Sequence, residues 1–513
     1  MQNYWLNSKT MKKFLNNVIR CWMLGVRCWV IGVGCWMLAA CSTAVENAKQ
    51  EAARPDIYPD YLGVTVPMNI APLNFGMADE QAQLIDAIVT DNHGNSLHSQ
   101  GEESVDFDLD DWHALLAQNL GDSLSVTVSA KYEDGWHTYQ PFSIYVSTDS
   151  IDYGLCYRLI APGYEVWSKM GIYERDLSSF DERALIENTQ FEGCVNCHSF
   201  NRGNPADMSL HIRGPHGATL LRHNDSPLIA YNTKTDQTLG FCVYPYWHPS
   251  GRYIAYSTNS TSQLFHSAHR NRIEVFDTAS DLQVYDVEKN ELLLSPILKQ
   301  DSIYETFPVF SADGRSLYFC AAQSIPEGSY KLDSIRYNLC RVDFNPETGR
   351  FGNQIETIID AVSQGKSVSF PRPSYDGRFL CYTLSDYGQF SIWHHEADLY
   401  LLDLSTGESR VMTAANSEDT ESFHNWSTNS RWLVLSSRRD DGLYTRPYFC
   451  HVDKDGGISK AFMLPQRNPR RFYRERFLSF NVPEFIIMPT CFDGNKASGI
   501  IHDDYRKNFG VRK

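Results

Sequence analysis

The feature that most constrains the fold is an internal repeat between residues 217 and 488. Four segments share aromatic and proline residues, a polar turn that ends in arginine, and then alternating apolar positions: YPYWHPSGRYIAYST (244–258), FPVFSADGRSLYFCA (307–321), FPRPSYDGRFLCYTL (370–384) and FHNWSTNSRWLVLSS (423–437). Their arginines, Arg252, Arg315, Arg378 and Arg431, are 63, 63 and 53 residues apart. Each segment predicts a tight hairpin turn followed by a strand with one buried face. Four-stranded units that repeat every 50–60 residues are typical of β-propeller blades.

These units resemble the blades of TolB-type propellers. The resemblance implies a propeller of five or six blades over residues 217–488, followed by a C-terminal tail at 489–513. Strands near 217–233 and 476–488 are candidates for closing the ring between its two ends.

The chain before the repeat is predicted to be mainly β as well. Residues 61–160 indicate a β-sandwich-like module, because SLSVTVSAKY (123–132) alternates at period two and a turn at Asp134-Gly135 leads into FSIYVS. One helix is predicted over 109–119. Regular patterns fade between 161 and 216, where we expect a short irregular or helical segment with a helix around 180–188.

The first sixty residues indicate an export signal followed by a tether. Lys12, Lys13 and Arg20 precede an apolar run (21–40) that ends in Leu38-Ala39-Ala40-Cys41. This ending resembles the bacterial lipobox, which implies a signal peptide at 1–40, a lipidated Cys41 and a polar tether at 41–60. The alternative is an uncleaved transmembrane helix. Arg27 and the Ala-Ala-Cys ending favour cleavage, and hence a lipid-anchored protein of the cell envelope, on the outer membrane's periplasmic or surface face.

Charge argues against a nucleic-acid partner. The net charge is −16, and residues 1–40 contain five Lys or Arg and no acidic residue, so residues 41–513 carry −21. Phosphate binding needs a concentrated basic patch, and the sequence has none.

One motif indicates a cofactor-binding site. Cys194-Val195-Asn196-Cys197-His198 has the C-x-x-C-H pattern, in which two thiols reach the vinyl groups of one porphyrin and the adjacent imidazole ligates the iron. The segment resembles a mono-haem c-type cytochrome module, which implies one haem c attached to Cys194 and Cys197 with His198 as proximal ligand. A redox-active dithiol, a zinc site and a structural disulfide remain alternatives.

The sixth iron ligand has two candidates, Met208 and His211. If 208–213 is a strand, Met208 shares a face with Leu210 and Ile212, and core packing then explains it. His211 would share the other face with Arg213, a possible partner for a haem propionate. An open or more distant sixth position is also possible.

Other candidate sites are weaker. His394-His395-Glu396 looks like a metal cluster but is better explained as a loop between two strands of a blade, and no G-x-S-x-G, P-loop or dinucleotide motif occurs. Seven cysteines outside the two motifs are expected to be mainly buried thiols, with a Cys320–Cys340 pair as an alternative: Cys156, Cys242, Cys320, Cys340, Cys381, Cys450 and Cys491.

The sequence therefore suggests a one-electron carrier whose propeller docks a redox partner in the envelope. Two alternatives stay open: a binding or assembly protein for a protein or glycan, with a structural or regulatory haem, and a peroxidase-like haem enzyme. Fold alone does not choose between them.

Overall fold

The computed structural model describes residues 43–162, 169–326, 329 and 331–512. The predicted signal peptide and Cys41 lie outside these residues. Within these ranges no helix combines the length and apolar character needed to cross a membrane.

The core of the fold is a six-bladed β-propeller, within the predicted range of five or six blades. The strands of each blade, from the innermost outward, are as follows: blade 1, Ser479–Ile486, Gly154–Ile160, Gly171–Asp176, Glu182–Glu187; blade 2, Cys194–Asn201, Asn204–Arg213, Ala218–Arg222, Ile229–Asn232; blade 3, Val243–Trp247, Tyr253–Phe265, Ile273–Asp286, Glu291–Leu293; blade 4, Ile303–Phe310, Ser316–Gln323, Asn338–Asn345, Arg350–Ile359; blade 5, Ser367–Pro373, Phe379–Ser385, Asp398–Asp403, Ser409–Val411; blade 6, Glu421–Trp426, Trp432–Ser437, Arg446–His451, Phe462–Met463.

Blade 1 closes the ring with strands from both ends of the propeller. Its inner strand, Ser479–Ile486, pairs antiparallel with Gly154–Ile160. The propeller therefore begins near residue 154 and not near 217, and the segment 161–216 contributes strands to blades 1 and 2 instead of forming an irregular linker. The predicted helix at 180–188 is wrong, because Glu182–Glu187 is a strand. Its consecutive residues Leu185 and Ile186 are both buried, which hides the period-two pattern of a strand.

The repeated arginine marks the turn between the first two strands of four blades. In blades 4, 5 and 6 an Asp or Asn carboxyl or amide oxygen accepts the main-chain N–H of the arginine two residues later, and in blade 3 a serine hydroxyl does so: Asp313–Arg315, Asp376–Arg378, Asn429–Arg431 and Ser250–Arg252. The residue between them has positive φ, which explains the glycine at Gly251, Gly314 and Gly377.

The N-terminal module is a seven-stranded sheet with one helix, α1 (Leu109–Gln118), as predicted in type and position. Asp108 caps α1 by accepting the N–H groups of Asp110 and Asp111. The module has a separate two-stranded ribbon but no second large sheet among the described residues, so it differs from the expected sandwich. Its strands are Lys49–Gln50, Thr65–Pro67, Leu84–Thr90, Ser96–Gly101, Ser123–Tyr132, Gly135–Thr138 and Phe142–Ser147, with the ribbon Ile57–Tyr58 and Gly76–Met77.

The C-terminal segment runs back over the propeller. It contains the helix α3 (Gly494–His502), whereas the helix α2 (Pro469–Glu475) lies earlier, between blade 6 and the closing strand. Two short strands then extend existing blades in parallel: Lys507–Asn508 pairs with blade 2, and Gly510–Val511 pairs with blade 3. Five short 3₁₀ helices lie between strands: Asn188–Gln190, Pro296–Leu298, Leu332–Ser334, Val362–Gln364 and Ser391–Trp393.

Candidate functional site: the central cavity

Every inner strand contains a β-bulge at the same place. The bulge residue has φ between 40° and 52° in all six blades: Val482, Cys197, Tyr244, Phe307, Phe370 and Phe423 in blades 1 to 6. The pairing register with the second strand shifts at each of these positions. A bulge redirects a side chain, and the bulge residue is aromatic in four blades: Tyr244, Phe370 and Phe423 line the central cavity, and Phe307 packs against the first two of these rings. The cysteine motif is therefore part of the propeller repeat, with Cys197 in the position of the central aromatic ring.

A cavity of about 520 Å³ lies at the centre of the propeller. Aromatic side chains form much of its wall: Phe241, Tyr244, Phe370, Phe390 and Phe423. Three basic side chains, Arg158, Arg213 and Arg372, also line it. An aromatic wall with a few cations suits a flat, apolar ligand that carries anionic groups.

The two thiols of the motif have different surroundings, since Cys194 packs against the apolar cluster between blades 1 and 2. Cys197 lines the wall, and both Cys194 and Cys197 are free and partly exposed. Burial raises the pKa of the Cys197 thiol, while Arg213 and Arg158 act in the opposite direction. Cys194 is near enough for its charge to affect the pKa of Cys197 as well. The bulge thus brings the second cysteine of the motif into a basic environment.

His198 also lines the cavity but is engaged in blade packing. It is buried, and its Nε2–H donates to the carbonyl oxygen of Cys156 in blade 1, with an N–O distance of 3.2 Å. Burial lowers the pKa of His198 to about 4, so the imidazole is neutral at pH 7. Its Nδ1 is buried and has no hydrogen-bond partner among the described residues.

His424 in blade 6 makes the equivalent contact with a main-chain carbonyl group of blade 5. Its Nε2 lies 3.0 Å from the carbonyl oxygen of Cys381, and burial lowers its pKa to about 3. Both histidines directly follow the bulge residue, a position occupied by Pro483, Pro245, Pro308 and Pro371 in the other blades. Packing between adjacent blades therefore accounts for the hydrogen bond of His198.

The structure brings one of the two sixth-ligand candidates to the cavity. Met208 is buried with Leu210 and Ile212 in the apolar cluster between blades 1 and 2. His211 and Arg213 point to the other face and line the cavity. The Nδ1 of His211 is 3.1 Å from the hydroxyl of Thr219, and burial lowers its pKa to about 3. His211 is thus a neutral imidazole in the same cavity as the cysteine motif.

Sequence reasoning missed four cavity residues, Arg158, Arg372, His424 and Glu484. The buried carboxyl group of Glu484 accepts the main-chain N–H of Phe200, and burial raises its pKa to about 8. Aligning the six bulges would have found Arg372 and Glu484, since both come two residues after a bulge residue. No sequence signal placed Arg158 near the motif, because that requires knowing how the ring closes.

The other predicted features lie outside the cavity. Six of the seven remaining cysteines are buried free thiols, whereas Cys491 is exposed. His394-His395-Glu396 forms a loop between the second and third strands of blade 5, and His394 pairs with Glu274 of blade 3 and with Glu396. In the part of the chain that the structure describes, no group of three or more His, Cys, Asp or Glu side chains is arranged to hold a metal ion.

The pKa shifts of His424 and Glu484 predict opposite effects of pH on the stability of the fold. An unfolded His424 takes up a proton below pH 6.5, whereas the folded one does so only near pH 3, so its contribution to stability is lost as pH falls from 6.5. At pH 5 this loss is about 2 kcal/mol. Glu484 has a folded pKa above its unfolded one, so its contribution is lost as pH rises from 4.5 towards 8.

These signs can be checked by urea unfolding at pH 5 and pH 7.5. The free energy of unfolding of a His424→Gln variant, compared with that of the native chain, is expected to be more favourable at pH 5 than at pH 7.5. For a Glu484→Gln variant the same comparison is expected to be more favourable at pH 7.5 than at pH 5. The exposed His502→Gln serves as the control and should show no such change. Parallel pH profiles for all four proteins would contradict the prediction.

The chain is similar to several solved structures, all at low sequence identity. No protein-family model matches the chain, and no curated protein matches it. Among solved structures, it is similar to a DUF4784 family protein from Bacteroides caccae (8% identity, TM-score 0.29, covering 72% of this chain and 96% of that one). It is also similar to the periplasmic gluconolactonase of Pseudomonas aeruginosa (14% identity, TM-score 0.34, covering 65% and 100%).

A third similar structure is prolyl oligopeptidase B from Galerina marginata (11% identity, TM-score 0.34), of which the chain spans only 42% while 65% of this chain is covered. At these TM-scores and identities the likenesses carry no argument about what this chain binds or catalyses.

Proposed function

We propose that the central cavity binds one haem c, attached through Cys194 and Cys197, and that the protein transfers single electrons. The observation that carries the proposal is the position of the motif. Of the six central bulge positions, the one in blade 2 holds a thiol, and it belongs to the C-x-x-C-H sequence. Asn196, Cys197 and His198 therefore line the cavity, while Cys194 packs against the apolar cluster between blades 1 and 2, so attachment through Cys194 requires its side chain to turn towards the cavity.

The residues at the cavity fit haem in their chemistry. Both cysteines are free thiols, Cys197 lines the cavity, and the aromatic wall suits the face of a porphyrin. Arg158, Arg213 and Arg372 offer cations to the two propionates. The neutral imidazoles of His198 and His211 are in the protonation state that binds a metal. When bound, haem supplies a one-electron redox couple.

Iron ligation by His198 requires one rearrangement. Its Nε2 is hydrogen-bonded to the carbonyl oxygen of Cys156 in this structure, so ligation through that nitrogen requires the bond to break. His211 already has its Nδ1 held by Thr219, and its Nε2 has no hydrogen bond to a described residue. A hydrogen bond on one ring nitrogen is how ligating histidines are usually oriented. Two histidines favour electron transfer over a peroxidase-like reaction, which needs an open iron position.

Location and partners follow from the same proposal. Haem c is attached outside the cytoplasm, which agrees with the predicted export and lipid anchoring at Cys41. The outer surface of the propeller would then dock a redox partner of the cell envelope, and the net charge of −21 for residues 41–513 favours a partner with a basic surface.

A second candidate function follows from the likeness of His198 and His424. Since packing explains both histidines, the second candidate is a cavity without iron that binds a small anionic ligand through the arginines and the aromatic wall. This candidate matches the binding-protein alternative and leaves both cysteines as thiols.

Expression of the full chain with a cytochrome c maturation system separates the two candidates. Under the haem proposal the purified protein is red, and its absorption survives denaturation in acid and organic solvent. A Cys194→Ala/Cys197→Ala variant should lose the covalent absorption, whereas the exposed Cys491→Ala should keep it. A colourless native protein would reject the haem proposal and favour the second candidate.

A further inference from the structure

Glu305 is a fully buried acid that forms no ion pair with a described residue. It lies in the inner strand of blade 4, has no exposed surface, and neither of its carboxylate oxygens forms a hydrogen bond of normal geometry with a described residue. Burying an unpaired carboxylate costs several kcal/mol, so buried acids are paired, protonated or bound to a metal ion. Glu305 therefore needs a proton or a cation to neutralise its charge.

A second acid lies next to it on blade 3. Asp281 is buried in the third strand of that blade, and the charges of Lys299 and Asp301 act on its carboxylate in opposite directions. The two blades are in contact here, because Asn259, next to Thr258, donates to the hydroxyl of Thr306, next to Glu305, at 3.2 Å; the charge of Asp281 also raises the pKa of Glu305 beyond the effect of burial. Among the described residues neither carboxylate forms an ion pair with a lysine or arginine, although Lys299 is near enough for its charge to lower the pKa of Asp281 against the effect of burial.

A neutral oxygen ligand completes the cluster. Thr258 lies directly opposite Asp281 in the antiparallel pair of blade 3, so their side chains are on the same face. Its hydroxyl is buried and has no hydrogen-bond partner among the described residues. Two carboxylates and a hydroxyl are hard oxygen donors, the type that Ca²⁺ and Mg²⁺ prefer.

We propose that a divalent cation of the Ca²⁺ class binds between blades 3 and 4, ligated by Glu305, Asp281 and Thr258. Two carboxylates neutralise the charge of one divalent ion, which removes the cost of burying them unpaired. Main-chain carbonyl groups or water would supply the remaining ligands. The irregular donor set favours Ca²⁺, which accepts flexible geometry, over Mg²⁺, which needs a near-ideal octahedron.

The site would also affect the central cavity. Thr258 and Asp281 belong to the long hairpin of blade 3, Tyr253–Phe265 and Ile273–Asp286. Farther along the same hairpin, Asn259, Thr261 and Val275 line the cavity. A cation that joins this hairpin to the inner strand of blade 4 would therefore hold part of the cavity wall in place.

The test is Ca²⁺ titration of the EDTA-treated full chain by calorimetry, with thermal unfolding in parallel. We expect one Ca²⁺ per chain, a rise of several degrees in Tm, and at least tenfold weaker binding in Glu305→Gln and Asp281→Asn. Glu347→Gln, at an exposed turn of blade 4, should bind like the native chain.

Three results would overturn the proposal. The first is that native protein binds no Ca²⁺. The second is that Glu305→Gln binds as tightly as native protein. The third is that Mg²⁺ binds more tightly than Ca²⁺, which would reject the assigned class of ion. If Glu305→Gln raises Tm in EDTA and native protein shows no Ca²⁺ effect, a proton and not a metal ion neutralises Glu305.

Discussion

A His198→Ala variant is expected to lose the low-spin haem spectrum that we predict for native protein, whereas His424→Ala is expected to keep it. The two histidines form a matched pair. Each follows a bulge residue, lines the cavity and donates to a carbonyl group of the preceding blade. Only His198 directly follows a cysteine of the motif. Absorption spectra of the reduced proteins, with and without carbon monoxide, measure the difference.

Stability serves as the internal control for this pair. In the protein expressed without the haem maturation system, each substitution removes one buried hydrogen bond and leaves a cavity, so both should lower the free energy of unfolding by a similar amount, about 2–4 kcal/mol. His211→Ala adds a second comparison, since it should leave covalent haem in place but allow rapid carbon monoxide binding. Equal spectra for His198→Ala and His424→Ala would show that His198 acts only in packing.

Phe485→Ala is expected to lower the free energy of unfolding by about 3–5 kcal/mol, while Phe477→Ala should change it by less than about 0.5 kcal/mol. Phe485 is 1% exposed in the strand that closes the ring, where it pairs with Leu155 and packs against Phe449. Its main-chain N–H also donates to the side-chain oxygen of Asn425 in blade 6. Phe477 lies just before the same strand and is 68% exposed.

Chemical unfolding of the two variants measures this effect, and their m-values show whether the ring unfolds as one unit. A large loss for Phe485→Ala with an unchanged m-value indicates that closure by blade 1 stabilises the whole propeller. A loss below about 1 kcal/mol would mean that the closing strand contributes little, contrary to our account.

The propeller was predictable because its turns repeat. The acceptor and glycine before Arg315 and Arg378 leave a strong local signal, and so does the alternation that follows them. The closing of blade 1 was not predictable from such signals. It joins Gly154–Ile160 to Ser479–Ile486, more than 300 residues later, and no local pattern specifies that partner.

The candidate site, like the fold, could be predicted from the sequence only in part. The alternation of residues 208–213 correctly separated Met208 from His211 and Arg213. The motif itself was expected in an irregular or helical segment, yet it forms the inner strand of blade 2. That placement depends on the bulge at Cys197, which becomes visible only when the six inner strands are compared. Arg158 reaches the cavity through ring closure and therefore left no local signal.

The most direct test of the central claim is mass spectrometry of the protease-digested protein after expression with the haem maturation system. Our account predicts a peptide containing Cys194 and Cys197 that carries the mass of one haem, with both thiols resistant to alkylation. Recovery of that peptide with two alkylated cysteines and no haem would contradict it.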